Sequence, residues 1–278
     1  MIDLTASPLI ELRDVTLDVE GRRFLDGANL RVDAGETLVV TGAPGCGKSF
    51  VLRLLLALPG MGDIPVSCTG DVIVAGQNVF DLTGIHLQHL RRRIGFVMQG
   101  GGLIENMDVR RNISLPIQYH YGEALSDSGL ADRRCDQLLD RFGLSHLGAA
   151  GLRPVALAHE QRVYVALARA MVADPFLLLL DDPASGLPPM SARRLCEHAF
   201  GAPLFADALP EVERVTTPTR VVTTADPSRY LDHGDRYILL DQGTLVEIGN
   251  RVAIETSTDP RLSGLLHTTV TPPVVDHA

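Results

Sequence analysis

The chain has 278 residues, 45% hydrophobic and 21% charged, which is enough to bury a full core and too apolar for disorder. Its net charge of −9 provides no general basic field for nucleic acid. No segment supplies the roughly 20 apolar residues of a membrane helix, and the four cysteines form no CxxC pair, which suits a reducing compartment and argues against a zinc knuckle.

From the amino end, Met1–Asp14 carries acids and no basic n-region, so it does not read as a secretory signal. Ile10–Val19 and then Phe24–Val32 alternate as strands. Gly35-Glu36 turns into a buried, β-branched strand at Thr37–Thr41. Next comes Gly42-Ala43-Pro44-Gly45-Cys46-Gly47-Lys48-Ser49, followed from Phe50 by an apolar helical run. Glycine, four residues, then Gly-Lys-Ser between a strand and a helix is the phosphate-loop pattern. Its backbone N–H groups and the helix N-terminus would hold phosphate oxygens. Lys48 would reach the β- and γ-phosphates and the Ser49 hydroxyl would hold Mg²⁺. The composition singles out the same residue. Of the 25 cationic side chains 24 are arginine, and Lys48 is the only lysine. Drift toward arginine fails only where a compact point charge is indispensable. Cys46 reads as a small filler in the loop.

Gly70–Val79 reads as a strand pair turning at Gly76-Gln77-Asn78. Leu87–Arg93 is a basic helix end leading into Ile94–Gln99, and residues 100–165 are mostly helical in pattern, with Leu130–Phe142 amphipathic. A helix at Ala166–Val172 precedes a buried strand at Phe176–Leu180 that runs into Asp181-Asp182. An acid at the end of such a strand is where nucleotide hydrolases place a second Mg²⁺-organising carboxylate. A helix at Met190–Phe200 and strands at Arg220–Thr224 and Arg236–Leu240 follow. Pro203, Pro210 and Pro218 break the stretch before Arg220 into loop, and the tail from Thr268 reads as disordered.

Over roughly residues 9–250 these motifs resemble the ATP-binding subunit of ABC transporters. Gly42–Ser49 matches the Walker A loop and Leu177–Asp181 matches Walker B. Ile94–Gln99 matches the segment ending in the Q-loop glutamine, Ala166–Ala170 the helix after the signature, and Asp235–Gly249 the terminal strands. The resemblance implies an α/β fold, the P-loop NTPase of ABC ATPase type, with a mixed β-sheet core, flanking helices and a helical subdomain. It implies one domain over 1–267, with core segments 1–99 and 166–267 and a helical segment 100–165. ATP and Mg²⁺ are the implied cofactors. Residues 42–50 and Gln99 would bind nucleotide, while Ser49, Gln99 and Asp181 would organise the metal. Such subunits work as homodimers or heterodimers beneath an integral-membrane permease, so a cytoplasmic place on the inner face of the cell membrane is expected. A narrower likeness, to Mla/Mce-type phospholipid-trafficking ATPases, lies in Gln99–Leu103, Asn106–Val109 and Asn112–Pro116.

The departures from the family fall on the residues of hydrolysis. The signature, commonly Leu-Ser-Gly-Gly-Gln, reads Leu157-Ala158-His159-Glu160-Gln161. A β-carbon replaces each glycine, where close backbone approach to phosphate is needed, and Glu160 adds a negative charge. The usual catalytic glutamate is Asp182, one methylene shorter and a weak candidate base. The switch histidine is Ala225, Pro188 stands at the usual loop aspartate, and Val19 stands near the usual adenine-stacking aromatic. Three functions compete: an energy-coupling ATPase subunit, serving a lipid transporter; a non-catalytic subunit that binds ATP and pairs with an intact paralogue; and an ABC protein acting on nucleic acid or ribosomes. The acidic charge and the lack of a second ATPase domain disfavour the last.

Overall fold

In the computed structural model, which describes residues 8–58, 65–125, 129–201, 205, 209 and 217–266, β1 (Ile10–Val19) and β2 (Arg22–Val32) form an antiparallel hairpin. Val19 pairs with Arg22, so Glu20 and Gly21 are the whole loop, and both have positive φ. That is the two-residue turn whose twist matches the strands it joins. It starts β2 at Arg22, two residues earlier than the alternation suggests, and so brings Arg22 and Phe24 onto the sheet.

β3 (Thr37–Thr41) leads through the glycine-rich loop into α1 (Lys48–Leu54). β4 (Val66–Val74) then pairs with β1, and β5 (Gln77–Asn78) with β4. The expected turn at Gly76–Asn78 is displaced. Val74 pairs with Gln77, so the turn is Ala75-Gly76, again with positive φ at both residues. α2 (Gly84–Arg91) and β6 (Ile94–Val97) follow.

The helical stretch comprises α3 (Val109–Leu125), α4 (Leu130–Arg141), α5 (Ser145–Ala149) and α6 (His159–Met171). α6 is continuous through positions 165 and 166, because Val163–Ala168 are all buried between the helices and the sheet. Next come β7 (Leu177–Asp181), α7 (Pro189–Phe200), β8 (Thr219–Thr224), β9 (Arg236–Asp241) and β10 (Thr244–Gly249). Two short helices, α8 (Arg251–Glu255) and α9 (Pro260–Leu266), close the described chain. The expected tail and the breaks at Pro203 and Pro210 lie outside the described residues.

One sheet has the order β2-β1-β4-β5 and the other β10-β9-β3-β8-β7-β6. In the second, β9, β3, β8, β7 and β6 are parallel and β10 is antiparallel. Leu177 and Leu179 enter the core shared with the antiparallel sheet, whereas Leu178 and Leu180 enter the core shared with α3–α7. A strand covered on both faces needs no polar alternation, which explains the unbroken leucine run. Open parallel sheets bind ligands beyond the carboxyl ends of their strands, and β3, β7 and β8 end together there.

Buried polar groups tie the helices to this sheet. Arg134 of α4 is 1% exposed. It donates to Val172 O at 2.9 Å and pairs with Asp174 at 2.8 Å, its guanidinium 4.2 Å from the Phe205 ring centroid. Arg169 of α6 donates to the carbonyls of Gly101 and Gly102, and Arg162 pairs with Glu105. The fully buried Asn112 accepts from Ile104 N and donates to the carbonyls of Ile104, Met107 and Asp108. The loop from Gln99 to Asp108 is therefore held by α3 and α6.

Candidate nucleotide site

Between β3 and α1 the chain reverses around the Lys48 ammonium. Lys48 Nζ donates to Gly42 O at 2.7 Å and to Ala43 O at 2.9 Å. The half-buried side chain thus curls back over its own loop, where a phosphate would meet it. Two glycines make this path possible. A Cβ on Gly42 would stand 2.4 Å from Leu240 O, and Gly47 has φ +111° with Phe24 against it. Ala43, Pro44 and Gly45 are exposed, while Cys46 is half-buried beside Lys48.

Ser49, in the first turn of α1, donates to Asp181 Oδ1 at 2.9 Å. Thr223 of β8 donates to the same oxygen at 2.7 Å. Asp181 is 6% exposed, so the hydroxyl and carboxylate expected to organise a metal already meet in a sheltered place. The donor set suits Mg²⁺, which prefers one or two carboxylate or hydroxyl oxygens together with phosphate and water. Val97 pairs with Leu180, so Gln99 emerges at the same sheet edge two residues beyond its strand, exposed.

Asp182 has φ +45°, a left-handed conformation that aspartate tolerates better than most residues. Its carboxylate accepts from Thr224 Oγ1 at 3.2 Å. Burial pushes this carboxyl above the usual range, against the Thr224 hydrogen bond and the Lys48 charge. The shift favours a base, but the short side chain is bound to β8. Ala225 follows Thr224 and brings no polar group.

The signature-like residues lie at the start of α6. Ala158 is its N-cap and has no oxygen to offer, so only half of a capping box forms, with Ala158 N donating to the Gln161 side chain at 2.9 Å. His159 is exposed, and its Nε2 lies 3.0 Å from Ser185 O. Arg229 grips the same loop by donating to Ala184 O and Leu187 O, and is itself paired with Asp226. The loop after Asp182 is thus pinned from both the signature helix and the end of β8.

The structure therefore brings together Lys48, Ser49, Asp181, Asp182 and the 42–50 loop, with Gln99 at the same edge. It removes Val19, which is 5% exposed and packed in the core. Sequence reasoning missed Thr223, Thr224 and Arg229, because no local pattern distinguishes them.

The ABC transporter family profile matches residues 25–185. The chain is 29% identical over 269 residues to a methionine import ATP-binding protein of Rhizobium johnstonii, covering 97% of this chain and 68% of that protein. It is 32% identical to its counterpart in Caulobacter vibrioides, covering 87% and 67%. A sulfate/thiosulfate import ATP-binding protein of Mesorhizobium japonicum is 30% identical, with 92% and 68% covered. The chain thus spans about two thirds of the length of these relatives. Among solved structures, a dimeric ATP-binding cassette bound to ADP and Pi superposes with a TM-score of 0.70 at 26% identity, covering 85% of this chain and 96% of that one. A bacterial Atm1-family exporter with ATP bound gives 0.72 at 21% identity over 94% of this chain and 42% of that one, a likeness of fold. With its phosphate loop and Asp181 falling inside the matched segment, this chain belongs to the ABC transporter family and carries that family's ATP-binding domain.

Proposed function

We propose that the chain binds ATP with Mg²⁺ at a subunit interface and holds a membrane partner in its nucleotide-bound state, with little or no hydrolysis. The observation that carries this reading is the contrast within one site. The groups that hold nucleotide are in place: Lys48 over its loop, and Ser49 on Asp181. The groups that would split it are short, engaged elsewhere or missing: Asp182 is held by Thr224, and Ala158 and Ala225 have no polar side chain. Bound Mg²⁺ would supply charge neutralisation at the phosphates. The chain's own part is to position the phosphates with Lys48 and the loop amides, and to order Ser49 and Asp181 around the metal.

The domain partition proposed is a core of 1–99 and 166–267 with a helical segment 100–165. A cavity of about 260 Å³ between β6 and α3, lined by Phe96, Pro116, Tyr119 and His120 among others, supports docking of the permease there. Tyr119 is 70% exposed beside it. Among the described residues no helix is long and apolar enough to cross a membrane, and a cytoplasmic, peripheral position follows from this reading. The partner ATPase subunit is a second copy or a paralogue with complete chemistry. Two cargo classes rest on different observations. The likeness of Gln99–Pro116 to phospholipid-trafficking ATPases supports lipid, although its Asn112 serves to hold the 104–108 loop. The printed names of the relatives support import of a small solute. Identifying the lipid or solute that co-purifies with the full complex separates the two.

Titration calorimetry of the full chain with Mg-ATP tests the binding claim. Lys48→Ala removes charge-assisted hydrogen bonds of about 1.5–3 kcal/mol, so affinity should fall about 10- to 100-fold. Equal affinity in the variant would refute the assignment. Steady ATP turnover that Asp182→Asn abolishes would refute the non-catalytic part alone.

A further inference from the structure

β8 meets the end of β7 with two threonines in a row. In the parallel pairing of these strands Thr223 lies beside Asp181. Val221 and Leu179 enter the core shared with α1 and the antiparallel sheet, whereas Val222 and Leu180 enter the core shared with α3–α7. Side chains alternate along a strand, so Thr223 and Asp181 turn to the side of α1, and Thr224 and Asp182 to the opposite side. Thr223 is fully buried and donates from Oγ1 to Asp181 Oδ1 at 2.7 Å. Ser49 donates to that same oxygen at 2.9 Å. One carboxylate oxygen thus serves two hydroxyls, while Oδ2 has no hydrogen-bond partner among the described residues.

The strand itself does not call for a hydroxyl at position 223. Valine has the same branched shape, and β8 uses it at 221 and 222. Burying a hydroxyl costs free energy that a hydrogen bond has to offset. The partner here is a carboxylate, and hydrogen bonds to charged groups are the stronger kind. Their effect is to fix which oxygen is left. Mg²⁺ keeps a tight octahedral shell with several waters and uses carboxylates sparingly. The larger Ca²⁺ takes about six to eight oxygens and accepts a carboxylate through both of its oxygens. A carboxylate with Oδ1 committed to Ser49 and Thr223 offers only Oδ2, which meets the first demand and fails the second.

We propose that Thr223 is a specificity-determining residue of this site, one that restricts Asp181 to a single free oxygen and so selects Mg²⁺ over Ca²⁺ as the ion bound with the nucleotide. The inference rests on the ATP–Mg²⁺ reading above and adds to it a residue outside both the phosphate loop and the acid pair. Thr223 acts through Asp181, as a positioning residue, and needs no contact of its own with ion or phosphate.

The test is calorimetry of the full chain with ATP in Mg²⁺, in Ca²⁺, and in excess chelator without either ion. The unsubstituted chain should bind ATP about tenfold more tightly with Mg²⁺ than with Ca²⁺. Thr223→Val keeps the branched bulk and removes the hydroxyl. It should weaken Mg-ATP about tenfold, the loss expected for one hydrogen bond to a charged group. Ca-ATP should stay unchanged or tighten, so the ratio falls toward one. Thr223→Ser returns the hydroxyl and should restore the ratio. ATP without a divalent ion should bind alike in all three proteins. Thr223→Cys, with a weaker donor in place of the hydroxyl, carries the same comparison should Thr223→Val fail to fold. Equal losses under all three conditions would show that Thr223 only supports the buried carboxylate and would overturn the proposal, as would an unchanged ratio. A ratio near one in the unsubstituted chain overturns it too, while nucleotide binding stands. If that chain binds no ATP under any condition, the ATP reading fails and the selection with it.

Discussion

If the proposed weak hydrolysis holds, installing the family's usual residues together, with Ala158→Ser, His159→Gly, Glu160→Gly, Asp182→Glu and Ala225→His, should raise ATP turnover by about 10²- to 10³-fold over the unsubstituted chain. A single well-placed transition-state donor is worth about that much. Members of such a set act as a unit, so Asp182→Glu alone should recover little. The local structure explains why. At φ +45° a longer side chain gives up the conformation that aspartate tolerates, and Thr224 still competes for the carboxylate. His159 also leaves its contact with Ser185 O only when the signature is rebuilt. Phosphate release by the full chain with its membrane partner is the measurement. A parent rate equal to that of the rebuilt variant would show that Asp182 already works as a base.

The second large effect lies away from the nucleotide. Arg134→Ala should destabilise the fold by about 3–5 kcal/mol, read as a lower denaturation midpoint. The side chain is 1% exposed, and its removal takes away the guanidinium that donates to Val172 O and Asp174 and fills the space beside Phe205. Arg134→Met should cost less, because it refills the volume beside Phe205. Hydrogen exchange in Leu130–Arg141 should accelerate more than in Thr37–Thr41, because Arg134 joins α4 to the end of α6. A uniform acceleration would argue against that local role.

How much of this could be read from the sequence depended on the range of the interaction. Gly42–Ser49 and Asp181 announce themselves because each is a local pattern with a local cause: a strand end, a turn and a helix start. The buried strands were legible for the same reason, since cover on both faces leaves a pure apolar run. The turn at Ala75-Gly76 was misplaced by one step, because Gly76-Gln77-Asn78 contains better turn formers than alanine and only pairing of Val74 with Gln77 decides the register. α8 and α9, at five and seven residues, are too short to show a helical period. Phe24 and Arg22 were invisible as neighbours of the phosphate loop. They lie more than twenty positions from the loop they touch, and only the Glu20-Gly21 turn delivers them. Thr223 and Thr224 depend likewise on the pairing of β7 with β8.

Lys48 also gives this protein an unusual reagent chemistry. Apart from the chain's own amino terminus, its Nζ is the only primary amine present. That amine is half-buried and turned onto the carbonyls of Gly42 and Ala43. An acylating reagent such as an N-hydroxysuccinimide ester therefore has one side chain to find, and it stands in the proposed nucleotide site. Protection from labelling becomes a direct, mutation-free gauge of site occupancy, and a reporter group attached through this route marks the phosphate loop and no other side chain.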